Sequence, residues 1–131
     1  MTTPIRNPAR RASALLVLAV AAAPLAACGG TGTGGAVRTD ITARMQSIQA
    51  PIQQCYARAL KANRRIRGLM VVNFRAAPST GQFDQITVDR DETADSSLRA
   101  CVIEQVSGLK LVTPQRTAVS VAYPIRFAPT K

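Results

Sequence analysis

Two periods govern the apolar positions of this chain. Ile41, Met45, Ile48, Ile52, Cys55 and Ala59 are separated by 4, 3, 4, 3 and 4 residues, the repeat of one helical face. Thr39 or Asp40 can cap the free N–H groups at the start of this helix, and it is expected to end near Asn63. Pro51 lies inside the run. A proline removes one hydrogen bond and crowds the preceding turn. The spacing therefore predicts a kink, or two helices with Pro51 in the first turn of the second. From Gly68 onward the period drops to two. Met70, Val72, Phe74 and Ala76 fall on one face, and Val71, Asn73 and Arg75 on the other. Residues 78–82 read as a turn, with Gly81 available for positive φ. Residues 83–89 read as a second strand with Ile86 and Val88 inward, so the two strands should form an antiparallel hairpin.

The helical period then returns. Thr93 or Asp95 can cap a second helix whose buried face is Leu98, Cys101, Val102 and Val106, with Gly108 at its end. Leu109 to Val112 is a short extended link closed by Pro114. The last strand is expected over Thr117 to Phe127. There Val119, Val121, Tyr123, Ile125 and Phe127 alternate with Ser120, Ala122, Pro124 and Arg126. Proline cannot donate to a ladder, so the outward side at Pro124 should be an edge or a bulge. The order helix, strand, strand, helix, strand predicts an α+β two-layer domain, with both helices on one face of a three-stranded antiparallel sheet.

The first residues have a different logic. Arg6, Arg10 and Arg11 precede an apolar run of 14 residues, Ala12 to Leu25. That is short of the roughly 20 residues a bilayer span needs. Leu25-Ala26-Ala27-Cys28 follows, then Gly29-Gly30, which has the form of a lipobox. Residues 1–27 are thus expected to be a lipoprotein signal peptide, with Cys28 the lipidated residue. The alternatives are an ordinary secretory signal or a retained membrane helix. Residues 28–39 form the lipidated cysteine and a Gly-rich tether, and 40–131 the domain. The tether lacks the G-x-x-x-x-G-K-[ST] pattern of a phosphate cradle. A glycine, not an aspartate, follows Cys28, which favours the periplasmic face of the outer membrane as the site of anchoring.

Export changes how the charge is read. The chain has 17 basic and 7 acidic residues; without the three leading arginines the excess is near +7. Outside the cytoplasm nucleic acid is not an expected partner. Anionic lipid head groups, phosphates of lipopolysaccharide and wall polymers are the available polyanions. Lys61, Arg64, Arg65 and Arg67 cluster at the end of the first helical run. They either complement the helix dipole or form an anion-binding patch. The chain has no histidine. Asp89, Asp91, Glu92 and Asp95 look like a solvated loop and helix start, without the spacing of a calcium loop. No enzymatic activity, metal or cofactor is expected. With Cys28 assigned to lipid, Cys55 and Cys101 are an even pair in an oxidising compartment, and a disulfide is the default. A metal or catalytic thiol pair is the alternative; it would have no histidine partner and no C-x-x-C spacing. A bridge between the two helices would restrict the unfolded chain by about 4 kcal/mol.

Several of these residues together resemble a known family. The run Ile52-Gln53-Gln54-Cys55-Tyr56-Ala57-Arg58-Ala59-Leu60-Lys61 is similar to the I-x-x-C-Y-x-x-A-L-K start of the AgmX/PglI C-terminal domain. Gly68 with its strand, Ala100-Cys101-Val102, and the closing Val121-Ala122-Tyr123-Pro124-Ile125-Arg126-Phe127 also match, over roughly residues 44–128. Leu109-Lys110-Leu111-Val112 stands where that family often has an aromatic segment. The resemblance implies a TonB C-terminal-like fold acting as a protein-binding or scaffold module for an envelope partner. The edge strand Val119 to Phe127 would receive a partner segment by strand addition. Energy coupling is not expected, since no long Pro-rich linker precedes the domain. The competing reading is a basic surface module that binds anionic lipid or glycan.

Overall fold

The computed structural model describes residues 34–130. The expected signal peptide (residues 1–27), Cys28 and most of the Gly-rich stretch after it lie outside the described residues, as does Lys131. The elements are α1 (Gly35–Ser47), α2 (Gln49–Ala62), β1 (Gly68–Ala76), β2 (Phe83–Asp91), α3 (Ser96–Ser107) and β3 (Val119–Phe127). The architecture is α+β, with three helices and one three-stranded antiparallel sheet.

The helical stripe is continuous although the helix is not. Ile41, Met45, Ile48, Ile52, Cys55 and Ala59 are all buried. The backbone breaks at Ile48, whose N–H bonds Met45 three residues back, and α2 restarts at Gln49. Pro51 therefore sits in the first turn of α2, where a missing N–H has no helical acceptor to lose. Of the two outcomes expected from Pro51, the split is the one observed. The start of α1 is a correction: it begins at Gly35, upstream of Thr39 and Asp40, with no side-chain cap. Val37 packs against the core one turn before Ile41, which draws the helix back into the glycine-rich stretch. Asp40 serves a different end. Its carboxylate accepts the Thr113 N–H at 3.0 Å and so ties α1 to the link that precedes β3.

The sheet order is β2-β1-β3, so β1 is the central strand. Its inner positions Met70, Val72, Phe74 and Ala76 are buried, as the alternation predicts. β3 pairs with β1 in one unbroken register, from Gly68 opposite Phe127 to Ala76 opposite Val119. It starts at Val119, two residues later than expected. β2 runs to Asp91, two residues further than expected, and breaks register with β1 twice.

Asp95 caps α3 through a 2.7 Å bond from the Leu98 N–H. Leu98, Val102 and Val106 are fully buried, but Cys101 is only half-buried. It turns sideways to Cys55 on α2 and not down onto the sheet. The Cys55–Cys101 disulfide is formed, with Cα atoms 5.9 Å apart, within the usual 4.4–6.8 Å. The link after α3 lies against the hairpin turn: Leu111 N–H donates to Gly81 and Phe83 N–H to Leu109. Gly81 has φ +71°, and a β-carbon there would come within 2.9 Å of the Leu111 side chain.

Candidate functional site

The open edge of β3 is the most distinctive surface of the domain, and the backbone decides which of its groups are free. Leu69 on β1 turns both its polar groups toward β2: its N–H donates to the Glu92 carboxylate at 2.8 Å, and its C=O accepts the Glu92 N–H at 2.9 Å. Polar groups alternate sides along a strand. Met70, Val72 and Phe74 therefore turn toward β3 and engage their register partners Ile125, Tyr123 and Val121. The remaining set on β3, Ser120, Ala122, Pro124 and Arg126, turns outward to the free edge. Ser120, Ala122 and Arg126 each offer an N–H and a C=O there, while Pro124 offers a C=O alone. All four are exposed.

Side chains on the other set complete the site. Val119, Val121, Tyr123 and Ile125 are half-buried and pack against the core, and Phe127 is buried. These are the residues singled out from the sequence as the binding strand. Here they form a floor, and the free backbone belongs to their alternates. A cleft of about 330 Å³ lies between residues 123–127 and the helices, walled by Gln46, Gln49 and Gln53 over Met45 and Ile52. A second cleft of about 340 Å³ continues along residues 120–123 beneath Arg38, Ile41 and Thr42. Together they follow β3 for most of its length. Arg38 is the charged side chain on the helical wall, and neither cleft is lined by a carboxylate. The glutamine wall was not anticipated. Its signal was present, because Thr42, Gln46, Gln49 and Gln53 run as a polar stripe beside the apolar one at the same helical spacing.

The basic residues Lys61, Arg64, Arg65 and Arg67 lie in and after the last turn of α2, all exposed. Arg44, Arg75, Arg90 and Arg99 each face a carboxylate. Among the described residues, none of the four in the cluster does. The turn that carries them is fixed from inside. Ile66 is 2% exposed, its C=O accepts the Tyr56 O–H at 2.7 Å, and the Asn63 side chain accepts the Arg65 N–H at 3.0 Å.

The carboxylates of β2 and of the residue after it are engaged internally. Asp91 is pushed up by burial, but hydrogen bonds from Thr93 and Arg99 outweigh this and hold its carboxyl below the usual range. Glu92 is lowered by the Leu69 N–H and by Arg90. Asp84 is lowered by its two-pronged bond with Arg75. Each of these three carboxylates thus has an internal partner. Among the described residues no group of three or more metal-ligating side chains comes together. No described helix is long and apolar enough to cross a membrane.

The geometry defines a small α+β domain with one regular open sheet edge. A solution structure of the TonB C-terminal domain of Helicobacter pylori, residues 179–285, aligns with 76% of this chain and 97% of its own, at 17% identity and a TM-score of 0.46. No family model matches the chain, and no curated protein matches it.

Proposed function

We propose that this chain is an envelope lipoprotein whose domain binds a protein partner without catalysing a reaction. The partner contributes an extended segment that adds to the free edge of β3. The observation that carries this reading is the outward set on β3, a regular row of backbone donors and acceptors flanked by a cleft of matching length. Main-chain bonds to Ser120, Ala122 and Arg126 supply affinity. Every second side chain of the added strand enters the cleft, against the glutamine wall. The resemblance to the AgmX/PglI C-terminal domain supports the same reading, and the Leu-Ala-Ala-Cys28 sequence supports a lipid anchor at the periplasmic face of the outer membrane.

Ala122→Pro deletes an outward N–H without touching the ladder to β1. It should reduce capture of envelope proteins, crosslinked through a photoreactive residue at Ser120, by about tenfold, the loss of one or two main-chain bonds. Thermal unfolding of the variant should stay close to that of the parent. Undiminished capture by Ala122→Pro would reject strand addition at this edge. The anchor is tested by intact mass: the mature N-terminus should be Cys28 carrying acyl chains, and Cys28→Ser should abolish them.

A further inference from the structure

We propose that the turn formed by Lys61, Arg64, Arg65 and Arg67 docks the domain on a bilayer surface rich in anionic phospholipid head groups. This surface is separate from the β3 edge and does not depend on strand addition. Four observations converge on it. First, each of these cations is exposed, and none has a carboxylate partner among the described residues, whereas Arg44, Arg75, Arg90 and Arg99 all do. Four like charges within seven residues repel one another, and among the described residues only the carbonyl end of α2 offsets the repulsion. An external anion would also offset it.

Second, the turn is held rigid by contacts that leave the charged heads free. Ile66 plugs it into the core, Tyr56 bonds its backbone, and the Tyr56 ring rests 5.1 Å from that of Phe127. Little ordering entropy is lost when a fixed turn binds. Third, the four cations stand in solvent, and none of them lines the clefts along β3. Exposed charges outside those clefts suit an extended negative plane. Fourth, no exposed aromatic ring accompanies the cluster: Tyr56 and Phe127 are buried. A sugar polymer would lack a face to stack on, which favours head groups over wall glycan. The apolar residue of the turn, Ile66, points inward, so docking stays at head-group level and is governed by charge.

The position is specific enough to test against net charge alone. Lys110 and Arg116 are also exposed cations, but they sit on the link that contacts the hairpin turn, at the other end of the sheet. The chain from position 28 onward, carrying Cys28→Ser so that neither acyl chains nor the apolar run of residues 12–25 contributes, is sedimented with phosphatidylcholine vesicles with or without phosphatidylglycerol. Binding should require phosphatidylglycerol and weaken steeply between about 0.05 and about 0.5 M salt. Replacing Arg64 and Arg65 together by Ser should weaken it by about thirtyfold, as expected for two head-group contacts. Replacing Lys110 and Arg116 by Ser, an equal loss of charge, should leave it within about twofold. Circular dichroism confirms that each variant is folded. Equal weakening by both pairs would reduce the effect to net charge and overturn the assignment. Binding to isolated wall material in place of vesicles, or to neither, would overturn it as well. Capture of a protein partner through β3 should be unchanged by Arg64→Ser with Arg65→Ser, so the two surfaces can fail separately.

Discussion

The two outer strands of this sheet face the same solvent and solve the edge problem in opposite ways. β2 is broken and charged. It loses register with β1 twice, Gln85 takes φ +50°, and Asp84, Asp89, Arg90 and Asp91 crowd its nine residues. Most of those charges are committed: Arg75 holds Asp84, Asn73 bonds Asp89, Arg90 bonds Glu92, and Arg99 holds Asp91. Bulges and charge are how natural sheets keep a strand edge from pairing with strangers. β3 has neither. Its register is unbroken over nine residues, its one charged residue is Arg126, and its interruption is the single Pro124. The difference leaves β3, and not β2, with a regular unpaired edge.

The covering helices differ in the same sense. α3 packs on β2 and is bridged to α2 by Cys55–Cys101, so the β2 side is covalently secured. The β3 side, under α1 and the first turns of α2, has clefts and no crosslink. Removing the bridge is the most severe way to break this comparison. Cys55→Ala, or reduction, should lower stability by about 2–5 kcal/mol, measured by urea denaturation. A loss under about 1 kcal/mol would mean that helix packing alone secures the β2 side.

The next effect is local to the junction of β1 with the end of β2. Gly68 has φ +128°, and a β-carbon there would lie 2.6 Å from the Glu92 β-carbon. Gly68→Ala should cost about 1–3 kcal/mol, because it combines strain at positive φ with displacement of Glu92. The Glu92 bond to the Leu69 N–H should weaken with it. Repeating Gly68→Ala in a Glu92→Gly background removes the contact with the Glu92 β-carbon and keeps the torsion, so a similar loss there would assign the cost to torsion and not to contact.

Much of this arrangement could be read from residue order. The buried faces of the strands follow from period alone; at Pro51 the rules allowed a kink or a split, at the start of α3 they allowed Thr93 or Asp95 as cap, and the pairing of Cys55 with Cys101 came from the even count left after Cys28. The exceptions have non-local causes. The start of α1 moved because Val37 finds core to cover. Asp40 consequently lies inside α1 and not at its start, and its carboxylate bonds the Thr113 N–H, 73 residues away. The bulges in β2 were invisible because a register slip depends on the partner strand. At the candidate site, alternation identified the strand but not which half of it is free. That required the bonds of Leu69, which show where the neighbouring strand turns its polar groups.

Acid should separate the two edges next. Asp84, Asp91 and Glu92 have carboxyls held below their ordinary values, and all three serve β2 or its end. A carboxyl lowered by folding contributes stability that is fully present above its unfolded pKa, about 4, and is lost as pH falls through the folded value. Stability should therefore be flat from neutral pH down to about 5 and decline below about 4. Asp91 has the least exposed side chain of the three, at 8%. Asp91→Asn should lower stability at neutral pH and shrink the difference between pH 7 and pH 3. An acid limb unchanged in that variant would show that the Thr93 and Arg99 bonds to Asp91 contribute nothing through its charge.

The smallest expected change in stability comes from the residue that most sharpens the contrast between the edges. Pro124 holds an outward position on β3, so its missing N–H weakens no bond to β1. Replacing it with Thr supplies a donor facing solvent and a residue that favours strands. Folding stability should shift by no more than about 0.5 kcal/mol, as for other exposed positions. The edge, however, would then present four consecutive outward donor–acceptor pairs, at residues 120, 122, 124 and 126, with nothing to interrupt an incoming strand. Two copies could pair edge to edge across it. Pro124→Thr should therefore raise self-association, seen as a concentration-dependent rise in mass by analytical ultracentrifugation. It should also strengthen capture of an extended partner relative to the parent. If Pro124→Thr stays monomeric at high concentration and captures partners no better, Pro124 is not what limits pairing at β3, and the difference between the two edges must lie in the walls of the cleft.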